Sequence, residues 1–379
     1  MKTKSIFILI VVLSAIFFLF SCEQGITNDN TEYLNDLNGN LQFKSINTTD
    51  YEISGWYNDG WNTESHDIYM KYHNLFSIVN PYWYNLGTST SSSIANGKIY
   101  ERSYAFNNQE IIEIHNNGDL IIPAIGDVVQ GQLNKILNSS RARKRLIDNL
   151  VNTAIVRNYD GWDLNFEKAH EKDKALFSAF VNQLGNTLQS KGKVLDVTIG
   201  AFNSTTSESY WIFDLDGLKT DAVRRIKIMA YDQHLGENPI PLDAVGDISW
   251  VRSVLNYVIH QRNVPSDKVI LGIPNYGWSY TYNAVTSSWT IQFPFSTHTY
   301  YMSRPSFQTW WQDVYKENYA EWTDAGVSYA AFYNNAQSVQ ERLRLVTEFN
   351  LAGACFWVLG REDENIYTSA IPAELPGIR

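Results

Sequence analysis

The chain has 379 residues, with 40 acidic against 30 basic side chains, a net charge of −10 and no basic block, a balance that argues against a nucleic-acid partner. It holds only two cysteines, Cys22 and Cys355, so no disulfide framework is available and a buried core must hold the fold. Aromatic residues make up 14% of it, with 12 Trp and 23 Tyr, which suits either a well-filled core or a groove whose rings stack on sugar faces.

At the N-terminus, Lys2 and Lys4 precede a nearly continuous apolar run from Ile6 to Phe20, and "LFSC" ends at Cys22. Residues 1–21 therefore read as a lipoprotein-type export signal. A membrane-spanning helix is the alternative, but about 15 apolar residues fall short of the roughly 20 that a span requires. Lipidation of Cys22 is expected to anchor an exported bacterial protein on the outer or periplasmic face of a membrane. Residues 22–44 would be its flexible tether.

Beyond the tether, short apolar runs rich in β-branched and aromatic residues alternate with helical patterns. The expected strands are Tyr51–Tyr57, Leu75–Trp83, Asp119–Gly126, Asp160–Glu167, Val194–Phe202, Arg225–Asp232, Val269–Gly277 and Gly353–Gly360. Apolar residues three and four apart mark helices between them: Leu146 to Ile155, Leu176 to Leu188 with Gly192 beyond the end, Val251 to Ile259, and Val339 to Phe349. Eight strands with intervening helices predict an α/β fold, a (β/α)8 TIM barrel over 45–366, with reactive groups at the C-terminal ends of its strands. The stretch at about 279–326 is too long for an ordinary connection and predicts a small, partly structured insertion between strands seven and eight, beside the barrel mouth. Residues 367–379 read as a tail. Cys355, within "GACFWVLG", reads as a small buried side chain.

One stretch carries the chemistry. In "DGWDLNFE", Asp163, Asn165 and Glu167 are two apart and share a strand face, while Leu164 and Phe166 face the other way. If Leu164 and Phe166 pack under helices, the polar three line the barrel interior, with Glu167 nearest the mouth. Desolvation and repulsion between the two carboxylates would raise a carboxyl pKa, as a general acid at neutral pH requires. The alternative is a polar network that only fills the lumen. The seven His show no paired ligand spacing, so neither metal nor cofactor is expected.

"DGWDLNFE" resembles the DGxDxDxE signature of glycoside hydrolase family 18, the chitinase superfamily. "IMAYDQH" (Ile228–His234), "VILGIPNYGW" and "GACFWVLGREDE" resemble that family's elements on strands six, seven and eight, in the same order over about 240 residues. The likeness is to the bacterial branch with a reduced insertion domain. It implies that Glu167 protonates the glycosidic oxygen and that the substrate's own 2-acetamido group attacks the anomeric carbon, the exception to enzyme-nucleophile glycosidases. It implies further that Tyr231 and Asp232 orient that acetamide, that Met229 and Trp357 floor the sugar subsite, and that Asp163 tunes the site from within. Tyr276 stays outside this set.

Two departures stand out. Asn165 occupies the place of a carboxylate in most active members, although a neighbouring family of endo-β-N-acetylglucosaminidases has an Asn in a similar context. "PAIGD" (Pro123–Asp127) replaces the usual "SxGG" of strand three. The expected function is hydrolysis of β-1,4 bonds in N-acetylglucosamine-containing glycans, whether chitin-type, N-glycan or peptidoglycan. A catalytically weak or inactive chitinase-like carbohydrate-binding lipoprotein is the alternative. A monomer is the default expectation.

Overall fold

The computed structural model describes residues 51–375 except 59–63, 87–95, 104–106, 236 and 238. The expected signal, Cys22 and the tether lie outside the described residues, as do tail residues 376–379. Eight parallel strands close a barrel: β1 (Glu52–Tyr57), β2 (Ile78–Asn85), β3 (Ala124–Gly126), β4 (Gly161–Asn165), β5 (Val194–Gly200), β6 (Arg225–Met229), β7 (Val269–Pro274) and β8 (Gly353–Trp357). Each pairs with the next, and β8 pairs with β1 to close the ring. All eight fall within or across the runs expected from sequence.

The third stave is the least regular. Leu120–Ile121 pairs with β2 before Pro123 interrupts the ladder, because proline has no N–H to donate. The Pro123 carbonyl instead accepts from the Asp163 amide at 2.9 Å, and this sets β3 level with β4 so that Ala124 faces Asp163 and Gly126 faces Asn165.

Helices cover the outside of the barrel. The helix Ser140–Val156 starts where Ser139 accepts from the Ala142 amide, and it buries Leu146, Ile147, Leu150, Val151 and Ala154. Ile155, expected in the same stripe, is 44% exposed in the last turn of the helix. Lys174–Gln189 buries Phe177, Phe180, Val181, Leu184 and Leu188. Leu164 and Phe166 join these residues in the main apolar core, so β4 turns its apolar face to the helices, as its alternation predicts.

Between β7 and β8 the chain forms a five-stranded antiparallel sheet from Tyr276 to Tyr333, with a short helix at His298–Met302. Strand alternation gives this sheet two faces. Tyr301, Trp322 and Tyr333 make a small core on one. From the other, Trp278 and Tyr280 pack with Val245 against Tyr231 and Trp357 at the barrel mouth. The insertion thus forms one wall of the opening.

Candidate active site

The lumen is charged where barrels of this kind usually hold branched apolar side chains. Lys227, fully buried on β6, donates to Asn80 Oδ1 at 2.8 Å and to Asp163 Oδ2 at 3.1 Å, and lies 3.4 Å from Asp196. Burial alone would lower its proton affinity, but the carboxylates of Asp163 and Asp196 raise it, so the ammonium stays charged. Asp163 also accepts from Trp56 Nε1 at 2.9 Å and from Thr198 Oγ1 at 2.7 Å. Below, Arg224 joins Asp196 to Glu52. Each buried charge therefore has a partner of opposite sign, the condition under which charges are tolerated inside a protein. Cys355 lies in this lumen, buried and unoxidised, 3.9 Å from Asn80. Its thiol is pushed up to about 12, chiefly by burial.

Asp163, Asn165 and Glu167 climb from this floor to the mouth. Asp163 is fully buried, Asn165 is half-buried as the last residue of β4, and Glu167 follows the strand with its side chain open to solvent. Enough protein surrounds Glu167 that desolvation raises its carboxyl above the ordinary value. The Asn165 amide, hydrogen-bonded to it, and the Lys168 charge oppose the rise. The expected repulsion between Asp163 and Glu167 is not among the causes. Burial is the leading cause of the rise. The Asn165 Oδ1 atom is buried and has no partner among the described residues.

Beyond the end of β6, Tyr231 and Asp232 share the mouth with Glu167. Asp232 has a left-handed backbone, φ +56°, which Asp tolerates better than most residues. Its Oδ1 accepts from the Tyr276 hydroxyl at 2.5 Å. Its carboxyl is pushed up to about 7, first by burial and then by the Glu167 charge, against the Tyr276 hydrogen bond. The Tyr231 hydroxyl is held well above its ordinary value by burial and then by Asp232 and Glu167, so it remains a donor. Its ring meets Tyr276 edge-on at 6.2 Å. Met229, inward like Lys227 on β6, lies level with Gly200 and Gly272. Trp357 ends β8 edge-on to Trp56 at 6.0 Å and touches the aromatic wall of the insertion. A narrow cleft beside Asp232 is lined by Gln233, His234, Val245, Trp278 and Tyr280.

Lys227 and Asp127 escape a reading from sequence, and Tyr276 stays outside the set that the resemblance implies. Lys227 is legible in hindsight: in "RIKIM" it alternates with two outward isoleucines and must point inward. Tyr276 follows β7 and continues the inward alternation of Gly272 and Pro274. Asp127 lies in the departing "PAIGD" and gives no periodic signal; it touches Glu167 only through the tertiary fold. Among the described residues, no group of three or more His, Cys, Asp or Glu is placed to hold a metal ion.

Comparison with known proteins shows the family of the chain and proteins that share its fold. Residues 40–362 match the profile of Glycosyl hydrolases family 18. The provisionally named sporulation-specific glycosylase YdhD of Bacillus subtilis is 28% identical over 60% of this chain and 53% of its own length. The cortical fragment-lytic enzyme of the same organism is 23% identical over 59% of this chain and 52% of its own. The chain thus spans about half the length of each. A chitinase from Chromobacterium violaceum shares the fold with a TM-score of 0.74 at 21% identity, covering 86% of this chain and 99% of that one. The barrel places an acid beyond its fourth strand and a Tyr–Asp pair beyond its sixth. The chain belongs to glycosyl hydrolase family 18.

Proposed function

We propose that the chain hydrolyses β-1,4 bonds adjoining N-acetylglucosamine by a substrate-assisted, retaining route. The supporting observation is how the carboxylates near the mouth are occupied. A retaining enzyme that supplies its own nucleophile needs a second free carboxylate about 5.5 Å from the acid. Asp163 is buried and holds Trp56, Thr198 and Lys227. Asp127 holds two backbone amides, and Asp232 is tied to Tyr276. Glu167 is left as the one solvent-facing acid of the group, and its proton affinity is raised.

In this reading the Glu167 proton passes to the bridging oxygen as the bond from C1 to that oxygen breaks. The acetamide oxygen of the same sugar attacks C1 and forms an oxazolinium ring. Tyr231 donates to the acetamide oxygen before attack, Asp232 orients the group, and the unpartnered Asn165 Oδ1 is available to its N–H. Glu167, now ionised, takes a proton from water, which opens the ring and restores the β configuration. Met229 and Trp357 supply the apolar floor. The names of the Bacillus relatives, a sporulation-specific glycosylase and a cortical fragment-lytic enzyme, make bacterial cell-wall glycan a substrate to set beside chitin-type and N-linked oligosaccharides.

The test incubates the protein with chitooligosaccharides, peptidoglycan fragments and high-mannose glycopeptide, alongside Glu167→Gln. New reducing ends are expected from at least one substrate, with a loss of at least about 100-fold in the variant. Binding without release by the parent protein would favour a sugar-binding role and contradict the proposal.

A further inference from the structure

The departure at the end of β3 has no place in the chemistry above, yet the structure gives it a specific contact. Asp127 is 5% exposed. Its Oδ1 accepts from the Glu167 amide at 2.8 Å and from the Lys168 amide at 3.0 Å, and its Oδ2 also lies 3.0 Å from the Lys168 amide. These amides lie just past the last residue of β4, where no strand ladder holds the backbone.

The same loop holds the segment again further on. The Gly131 amide donates to the Lys168 carbonyl at 2.8 Å, with Gly131 at φ +69°. Asn134 brackets His170, accepting from its amide at 2.7 Å and donating to its carbonyl at 2.9 Å. Residues 127–134 thus cradle 167–170, and Asp127 is the member that touches the acid's own backbone.

We propose that Asp127 is a positioning residue for Glu167, its buried carboxylate fixing the acid's backbone through the two amides that follow β4. Loss of that acceptor frees the Glu167 backbone over the substrate, and a misplaced acid transfers its proton poorly. The inference deepens the hydrolytic reading and rests on it for its effect on rate, but the clamp itself can be measured without turnover. Electrostatics adds a second signature. The groups facing Asp127 are Glu167 and Lys168, and its carboxyl is pushed up to about 7, chiefly by burial, with the Glu167 charge adding to the rise. Charge interaction between two sites is mutual, so an ionised Asp127 also favours the protonated acid. Tyr231 and Asp232 face Glu167 from β6 and are common to every variant compared.

The experiment compares Asp127→Ala and Asp127→Asn with the unaltered full chain. Asn keeps an oxygen acceptor and removes the charge, whereas Ala removes both. Amide hydrogen exchange is expected to speed up at least tenfold at Glu167 and Lys168 in the Ala variant and to stay near the parent rate in the Asn variant. With a substrate that is turned over, Ala should lower kcat at least tenfold with KM within about threefold, and Asn should recover most of kcat. The Asn variant should also shift the alkaline limb of kcat/KM to lower pH. Unprotected amides in the parent protein, or an Ala variant matching it in exchange and kcat, would overturn the proposal. If no substrate is cleaved, the hydrolytic reading fails and the exchange data alone decide whether Asp127 is a clamp. If the Ala variant does not fold, parent protection and the pH limb of the Asn variant decide.

Discussion

The amide at position 165 changes the charge beside Glu167 and therefore its hold on a proton. Asn165 donates to the Glu167 carboxyl and so lowers its proton affinity, whereas a carboxylate there would raise it. It would also place a negative charge near the developing oxazolinium. Asn165→Asp is therefore expected to move the alkaline limb of kcat/KM to higher pH and to raise kcat several-fold, read in a pH–rate series on the best substrate. A lower kcat would show that the amide has a positive role. At this scale strand alternation made Asp163, Asn165 and Glu167 legible in "DGWDLNFE", whereas Tyr231 and Asp232 in "MAYD" are legible through the family resemblance. Pairing across the lumen was not legible, since Lys227 meets Asp163 64 residues away in the chain.

Besides aromatic packing at the mouth, a buried ion pair ties together elements above the barrel. Glu317, on the fourth strand of the insertion (Glu317–Asp324), is fully buried and accepts from the Val245 and Gly246 amides at 2.9 and 3.0 Å. It also bonds Arg342 of the helix Ala336–Glu348, and Arg342 donates to the Gly246 carbonyl at 2.6 Å. Three pieces meet there: the insertion, the loop after β6 that carries Val245 into the mouth, and the helix that leads to β8. Removing one partner of a buried pair strands the other charge, at a cost of about 3–5 kcal/mol. Glu317→Ala is expected to lower the unfolding free energy by about that much in urea titration. Replacing both residues by apolar ones of similar volume should cost less, because no unpaired charge remains. The eight staves were readable in advance because each is a bounded β-branched or aromatic run. The insertion could be read only as structured and out of the repeat, since its exposed strands mix polar and aromatic residues without a clean period.

For the whole molecule, pH should act through buried carboxyls. Asp127, Asp232 and Glu362 are each pushed up to about 7, burial being the leading cause. Between their unfolded values near 4 and the folded values near 7, the native state binds more protons than the unfolded chain. Stability therefore falls as pH rises through that window. His298, lowered by burial, acts in the opposite sense only below its ordinary value of 6.5. Chemical denaturation is expected to give a larger unfolding free energy at pH 6 than at pH 8; the reverse order would mean that these carboxyls are ionised in the native protein at little cost. A similar trend is expected for catalysis, since Glu167 must carry its proton to act and activity should decline as pH rises through its raised pKa.

The proposed route uses no protein nucleophile: the lumen acid Asp163 is paired with Lys227, Asp127 holds two backbone amides beyond β3, and Tyr276 of the insertion holds Asp232. Proton NMR of the anomeric signals during the first minutes of hydrolysis tells retention from direct displacement by water. The β-anomer should form first and mutarotate only later; an α-anomer appearing first would mean direct attack by water and would contradict the substrate-assisted route.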